Sequence, residues 1–329
     1  MFRALNRPDI LMTALAAAGI MMISMGIRQS QGLFVAPLND TTGLGIATIS
    51  FALAIGQFTW GAIQPLAGAV ADRHGPRIVL IAGILLLAVG CALTPYMGTG
   101  FGLAVSLGLF CAMGSGASSF SVLLGAAAQR MPAEARGAAS GLINAGGSFG
   151  QFVFAPILQK LIQSLGWVGS MWAMAATALL ALPLIGKLTQ STHATHIQDH
   201  DEGGVLKAVG RALQDRSYLL LHVGFFTCGF HIAFLVTHLP GAVDLCGLPA
   251  SVSAVSLGLI GLANIAGSLG VGALGQVVQL APNSGQIARM WKSDQIEVRL
   301  LVFNGSQERT RWLIQPTRHT RQQALMNIQ

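Results

Sequence analysis

The chain has 329 residues, of which 53% are hydrophobic and 9% are charged, and its mean hydropathy is +0.62. Soluble domains carry about 25% charged residues, and disordered chains are far less apolar than this one, so both classes are excluded. The formal net charge is +7, but the basic residues lie mostly between apolar runs, which argues against a nucleic-acid partner. The composition is that of a polytopic membrane protein.

Eight apolar segments are long enough to cross a bilayer, which requires about 20 mostly apolar residues in a helix. They lie near Ile10–Phe34, Leu44–Ala71, Ile78–Tyr96, Gly100–Ala128, Gly137–Leu158, Gly166–Gly186, Tyr218–Leu239 and Ala250–Gly275. The sequence therefore predicts an all-α polytopic membrane protein with about eight transmembrane helices.

The connections between these segments alternate in charge. Arg and Lys lie before the first segment and in the second, fourth and sixth loops, whereas the first, third and seventh loops contain neither, and the fifth contains only Lys160. Because basic loops stay on the cytoplasmic side, we expect a multi-pass protein of the cytoplasmic membrane with its N-terminus in the cytoplasm.

The sixth loop is the one long polar connection before the tail. It predicts four parts: a six-helix bundle over 1–187, a cytoplasmic loop over 188–217, a partial second bundle over 218–275, and a polar basic tail over 276–329. His193, His196 and His200 in this loop have helical spacing and could hold a metal ion. A solvated linker is the preferred interpretation, since no apolar shell accompanies them, and no metal site is predicted.

A charged motif joins the second and third segments. It reads GAVADRHGPR and contains Gly68, Asp72, Arg73, Gly75 and Arg77. Gly68 would let two helices approach closely, Asp72 would need a cationic or helix-N-terminal partner, and Gly75 allows a tight turn. The two arginines would anchor the loop at the inner membrane surface.

This motif resembles the loop signature G-x-x-x-D-R-x-G-R of the major facilitator superfamily, and it lies at the loop where that family carries it. The resemblance implies a six-helix N-terminal bundle, a partial C-terminal bundle, and a loop that acts as a conformational switch between them. It also implies a transporter and not an enzyme: secondary active movement of a small solute by alternating access, without a cofactor.

Two further stretches look like bacterial members of the same superfamily, including the monocarboxylate and organic-anion branches. They are GIRQSQGLF in the first segment and GFHIAFLVTHLP in the seventh. The fifth segment reads GLINAGGSFG and lacks the embedded proline of the drug antiporter signature, so it does not favour drug antiport.

Charged side chains are costly in the hydrocarbon core, which makes Arg28 the leading candidate for substrate binding. A guanidinium can bind a carboxylate with two hydrogen bonds, so an organic anion is the favoured substrate; snorkelling or structural pairing is the alternative. Gln31 follows on the same predicted face. Asn144 and Asn264 offer amides, for which bonds between helices are the preferred use.

His231 is a second candidate inside the membrane. A histidine at this depth could relay a proton that drives transport, although a hydrogen-bonded packing role is the commoner one. Proton coupling is therefore left open.

The eighth segment repeats the beginning of the charged motif as GALGQV and departs from it at Gln276, after which no apolar run follows. One interpretation is a regulatory tail after eight genuine helices. The other, which we favour, is a truncation or frameshift that removes helices nine to twelve. It gives an alternative function: a non-transporting remnant, or a subunit whose missing helices come from a partner chain.

Overall fold

The structure, a computed structural model, describes residues 7–189, 210 and 213–280. The histidines of the sixth loop and all residues after 280 lie outside this part, as does most of the predicted central loop and tail. The contacts reported below fall within residues 1–273, which form one compact unit.

The described residues form helices and turns, with no β-strand among them. The helices are α1 (Pro8–Gln29), α2 (Val35–Thr42), α3 (Ile46–His74), α4 (Pro76–Leu93), α5 (Gly100–Leu103), α6 (Ala112–Ala117), α7 (Phe120–Ala128), α8 (Ala133–Leu179), α9 (Leu182–Thr189), α10 (Arg216–Leu245) and α11 (Ala250–Leu280). A 3₁₀ turn, Gln31–Phe34, joins α1 to α2, and a π-helical segment, Ala104–Cys111, joins α5 to α6.

Seven helical stretches in this part of the chain are long and apolar enough to cross a membrane. The all-α polytopic prediction is confirmed, and the difference from eight segments arises in one stretch of 55 residues, Ala135–Thr189. A continuous helix of that length would measure about 80 Å, whereas a bilayer core is about 30 Å thick. Gly166 interrupts it with φ 72° and ψ 173°, so the stretch makes two crossings, as the fifth and sixth predicted segments require.

Two contacts show that the chain reverses direction at Gly166. The rings of Tyr96 and Trp172 meet edge to face with centroids 6.2 Å apart, at the end of the bundle where the third crossing finishes. At the other end, Arg130 Nη1 donates to the carbonyl oxygens of Lys187 at 2.8 Å and Leu188 at 2.9 Å. We call the end that carries Arg73, Arg77 and Arg130 the basic end.

Small residues set the distance between the crossing helices. A Cβ on Gly150 of α8 would collide with the carbonyl oxygen of Met22 in α1, and one on Gly146 would lie 2.5 Å from that of Ala18. Helices in a membrane gain packing energy by such close approach, since lipid offers no hydrophobic drive for their association. Gly146 and Gly150, one helical turn apart, therefore allow α1 to pack closely against α8.

The charged motif forms the turn between α3 and α4. Helix α3 ends at His74, Gly75 takes φ 89° and ψ 147°, and helix α4 begins at Pro76. The positive φ confirms that glycine makes this turn, because other residues rarely adopt that conformation. Asp72, Arg73 and Arg77 are exposed.

The close helix approach expected at Gly68 is not found. No described residue lies within 4 Å of a Cβ built there. Pro65 and Asp72, which share the face of Gly68 by their helical spacing of three and four residues, are exposed. In this part of the chain, Gly68 therefore has no helix packed against it.

Candidate functional site

Arg28 lies in the last turn of α1, one residue before the α-helix ends. The α-helix ends at Gln29, Ser30 has φ −98° and ψ 0°, and the chain continues as a 3₁₀ turn. A cation is favoured at this position, because the last turn of a helix presents carbonyl oxygens and the negative end of the dipole. The break also means that Gln31, which is half-buried, does not continue the α-helical face of Arg28.

Helix α3 supplies both partners of Arg28. Gln57 and Trp60 are three residues apart, so they lie one turn apart on the same side of that helix. The Nη2 of Arg28 donates to Oε1 of Gln57, and the guanidinium carbon lies 3.9 Å from the centroid of the Trp60 ring. We call these three residues the arginine cluster.

No described residue neutralises the positive charge of the arginine cluster. No carboxylate among the described residues forms an ion pair with Arg28, and its hydrogen-bond partner is a neutral amide. A guanidinium has five N–H donors, and Gln57 occupies one of them. The remaining donors can bind a carboxylate in the planar, two-bond arrangement that arginine favours.

Trp60 adds a second donor to the cluster. Its Nε1 is buried and has no hydrogen-bond partner in the described part of the chain. Leaving such a group unsatisfied costs about 1–3 kcal/mol, so a ligand that accepts from it would gain that free energy. The indole face meanwhile holds the guanidinium flat by a cation–π contact.

The other predicted site residues lie on later helices. The Nδ2 of Asn144 donates to Oγ of Ser268 at 2.7 Å, a bond between α8 and α11 of the kind expected for this amide. His231 is exposed and its Nδ1 lies 2.9 Å from the carbonyl oxygen of Thr227 in its own helix. Asn264 is exposed. None of the contacts described joins these three side chains to Arg28.

Sequence reasoning did not single out Trp60. A signal was available, because the residue lies one helical turn from Gln57, a polar amide inside the second apolar segment. What the sequence lacks is the pairing of α1 with α3, without which neither residue can be assigned to Arg28.

Comparison with known proteins places the whole arrangement in a family. A sequence model of the Major Facilitator Superfamily matches residues 12–283. The chain belongs to the major facilitator superfamily. The matched range includes the arginine cluster, the turn at Gly75 and the helix breaks at Ser30 and Gly166. It confirms the family resemblance of the charged motif.

Individual relatives carry the names of transporters. Monocarboxylate transporter 13 of Rattus norvegicus is 28% identical over 287 residues, which is 85% of this chain and 63% of the relative. The oxalate:formate antiporter of Oxalobacter formigenes is 26% identical over 254 residues, 74% of this chain and 58% of the relative. A probable sulfoacetate transporter of Cupriavidus necator is 29% identical over 153 residues, 46% of this chain and 33% of the relative.

These comparisons confirm a multi-pass membrane protein of a transporter family and not an enzyme. The chain spans less than two thirds of the length of these relatives, at 63%, 58% and 33%.

Proposed function

We propose that this major facilitator protein moves a small organic anion with a carboxylate group across the cytoplasmic membrane. The observation that carries the proposal is the guanidinium of Arg28, which no described carboxylate neutralises and which Gln57 and Trp60 contact within the membrane-capable stretch Pro8–Thr42. An unpaired charge in the hydrocarbon is expensive, and a carboxylate substrate would neutralise it each time it binds. The relatives named for monocarboxylate, oxalate and formate, and sulfoacetate point to the same class of solute.

Further contacts to the substrate are proposed for Gln31, Asn144, His231 and Asn264. Because Asn144 already bonds Ser268, its amide can supply the substrate with an acceptor or with its second N–H. Transport without a cofactor, and a proton relay through His231, stay predictions, as does the cytoplasmic position of the N-terminus that the basic loops indicate.

The proposal is tested by uptake of radiolabelled solutes into proteoliposomes that contain the full chain. We expect saturable uptake of a small monocarboxylate such as lactate or formate, and competition by other short carboxylates. Neutral and cationic solutes of the same size, such as glycerol and ethanolamine, should not compete. Uptake of the neutral solutes with no effect of carboxylates would contradict the proposed substrate class.

We propose secondary active transport by alternating access, with the two bundles rocking about the arginine cluster. A contact between the bundles supports this mechanism. A Cβ on Gly32, beyond the break in α1, would collide with the carbonyl oxygen of Val236 in α10, and the carbonyl oxygen of Thr237 would lie 3.1 Å from it. This contact is at the end opposite the basic end, since α3, the crossing after α1, reaches the basic end at His74, next to Arg73.

Gly32→Ala is expected to open that end of the protein. The added methyl group meets backbone atoms of α10, which cannot rotate away, so the two helices must separate. In a Cys246→Ser background, we expect a cysteine placed at Ala36 to react with a membrane-impermeant maleimide about threefold or more faster from the outer side, given a bias of about 0.7 kcal/mol. Gly61→Ala is the matched control, because nothing lies within 4 Å of its Cβ. Equal labelling rates in the two variants would contradict the proposed separation of α10 from the first crossing at Gly32.

The alternative of a truncated, non-transporting remnant rests on the departure of the eighth segment from the charged motif at Gln276. The family model matches through residue 283, and the comparisons give this alternative no support. A partner chain that supplies further helices remains a prediction.

A further inference from the structure

We infer that the end opposite the basic end contains a binding site for a sodium ion, separate from the arginine cluster. A cavity of about 150 Å³ lies there between the outer parts of the first and fifth crossings and helices α10 and α11. Its lining includes Leu33, Pro37, Asp40, Gln159, Pro240 and Ser253. The cavity is not part of the proposed substrate site, because Arg28, Gln57 and Trp60 do not line it.

Three lining residues bring oxygen atoms that suit a hard cation. Asp40 supplies a carboxylate, Gln159 an amide oxygen and Ser253 a hydroxyl group. Gln159 is 9% exposed and Ser253 is 1% exposed, so two of the three polar side chains are buried at the cavity. None of the three side chains forms a hydrogen bond or an ion pair with another described residue, so the oxygen atoms of the two buried side chains and of Asp40, which is exposed, are available to a ligand.

The backbone around the cavity supplies more oxygen atoms. Proline has no N–H, so Pro37 cannot donate to the carbonyl of Leu33, a lining residue one turn earlier. The first crossing is also broken at Ser30, between α1 and the 3₁₀ turn. Broken transmembrane helices whose carbonyl oxygens face a cavity are the usual construction of a coupling-ion site in transporters.

The charge of the cavity favours a monovalent ion. Asp40 is its one ionisable lining residue, so a single positive charge neutralises it. Calcium takes 6–8 oxygen ligands, usually with several carboxylates, and magnesium requires near-octahedral geometry with retained waters. Lys160 and His238, the basic residues nearest in sequence to the lining residues, do not line the cavity. At about 30 Å³ per water, the cavity has room for the ion and part of its hydration shell.

The test is thermal unfolding of the purified full chain in detergent, without any substrate, in sodium chloride against choline chloride at equal ionic strength. An ion that binds the folded protein and not the unfolded one raises the melting temperature, here by about 3 °C at roughly tenfold saturation. We expect Asp40→Asn to abolish the sodium-dependent rise. Asp9→Asn, the same chemical change at the other end of the first crossing, should preserve it, since Asp9 lines no part of the cavity.

A second variant distinguishes the loss of a sodium ligand from a general loss of stability caused by the Asp40 substitution. Ser253→Ala removes one neutral ligand, and we expect it to raise the sodium concentration at half-maximal stabilisation about tenfold while the protein stays folded. Stabilisation that is equal in choline, that survives in Asp40→Asn, or that calcium produces better than sodium would overturn the assignment. Because no substrate is present, failure of the transport proposal would leave this result unaffected.

Discussion

Arg28→Gln should lower the apparent affinity for a transported monocarboxylate by about 100-fold, which corresponds to about 2.7 kcal/mol. Glutamine preserves much of the length of the side chain but removes the positive charge and the planar pair of donors that a carboxylate uses. The measurement is concentration-dependent uptake into proteoliposomes at low substrate concentration, with binding of the same solute to detergent-solubilised protein as a second readout.

Two variants separate the charge of Arg28 from its geometry. Arg28→Lys retains the cation but loses the two-bond fork and the flat contact on Trp60, so we expect a loss of affinity of about tenfold. Lys160→Gln removes an exposed positive charge and should leave affinity unchanged. If Lys160→Gln and Arg28→Gln reduced uptake equally, the effect would belong to net charge, and Arg28 would lose its assigned role.

Loss of folding would not explain the Arg28 result. No described carboxylate pairs with this arginine, so its removal leaves no opposite charge uncompensated, which is the usual cause of large destabilisation when a buried pair is broken. We therefore expect the melting temperature of Arg28→Gln to stay within about 2 °C of the parent protein, or to rise, because a costly charge has left the membrane interior.

The second large effect concerns stability, at the contact between α1 and α8. Gly150→Ala is expected to destabilise the protein by about 3 kcal/mol, because the new methyl group would collide with the carbonyl oxygen of Met22 and come within about 3 Å of the backbone nitrogen of Gly26. A backbone cannot move aside as a side chain can, so two helices have to separate. The expected fall in melting temperature is about 6 °C or more, measured by thermal unfolding in detergent.

Gly137→Ala is the matched control on the same helix. Gly137 is exposed, and a Cβ there meets nothing within 4 Å. Alanine is the better helix former by about 1 kcal/mol, so this variant should melt at the same temperature as the parent or slightly above it. Equal melting temperatures for the two alanine variants would show that the helices at Gly150 tolerate the extra atom.

Several properties of this protein follow from the sequence alone. A bilayer accepts only long apolar helices or closed barrels, so hydropathy by itself gives the class and all eight crossings of the described part. The glycine turn at Gly75 is equally local, since a positive φ between two helices depends on one residue and its neighbours. The charged motif around it was sufficient to identify the superfamily, and Arg28 stood out because an arginine inside an apolar helix is rare.

Other features depended on how the helices pack, which is not a local property of the chain. Nothing in the periodicity of α3 shows that Trp60 lies under Arg28, because the contact joins residues 32 positions apart on different helices. The break after Gln29, which separates Gln31 from the α-helical face of Arg28, was hidden within a continuous apolar run.

The same limit explains both the error at Gly68 and the features that were missed. A glycine permits close approach, but only a neighbouring helix decides whether the approach occurs, and in the described part it occurs at Gly150 and not at Gly68. The cavity at Asp40 likewise combines residues from four crossings of the chain. The sequence determined which segments enter the membrane, because that depends on each segment's own transfer free energy. The tertiary structure decided which side chains meet there, because that depends on the pairing of helices distant in the chain.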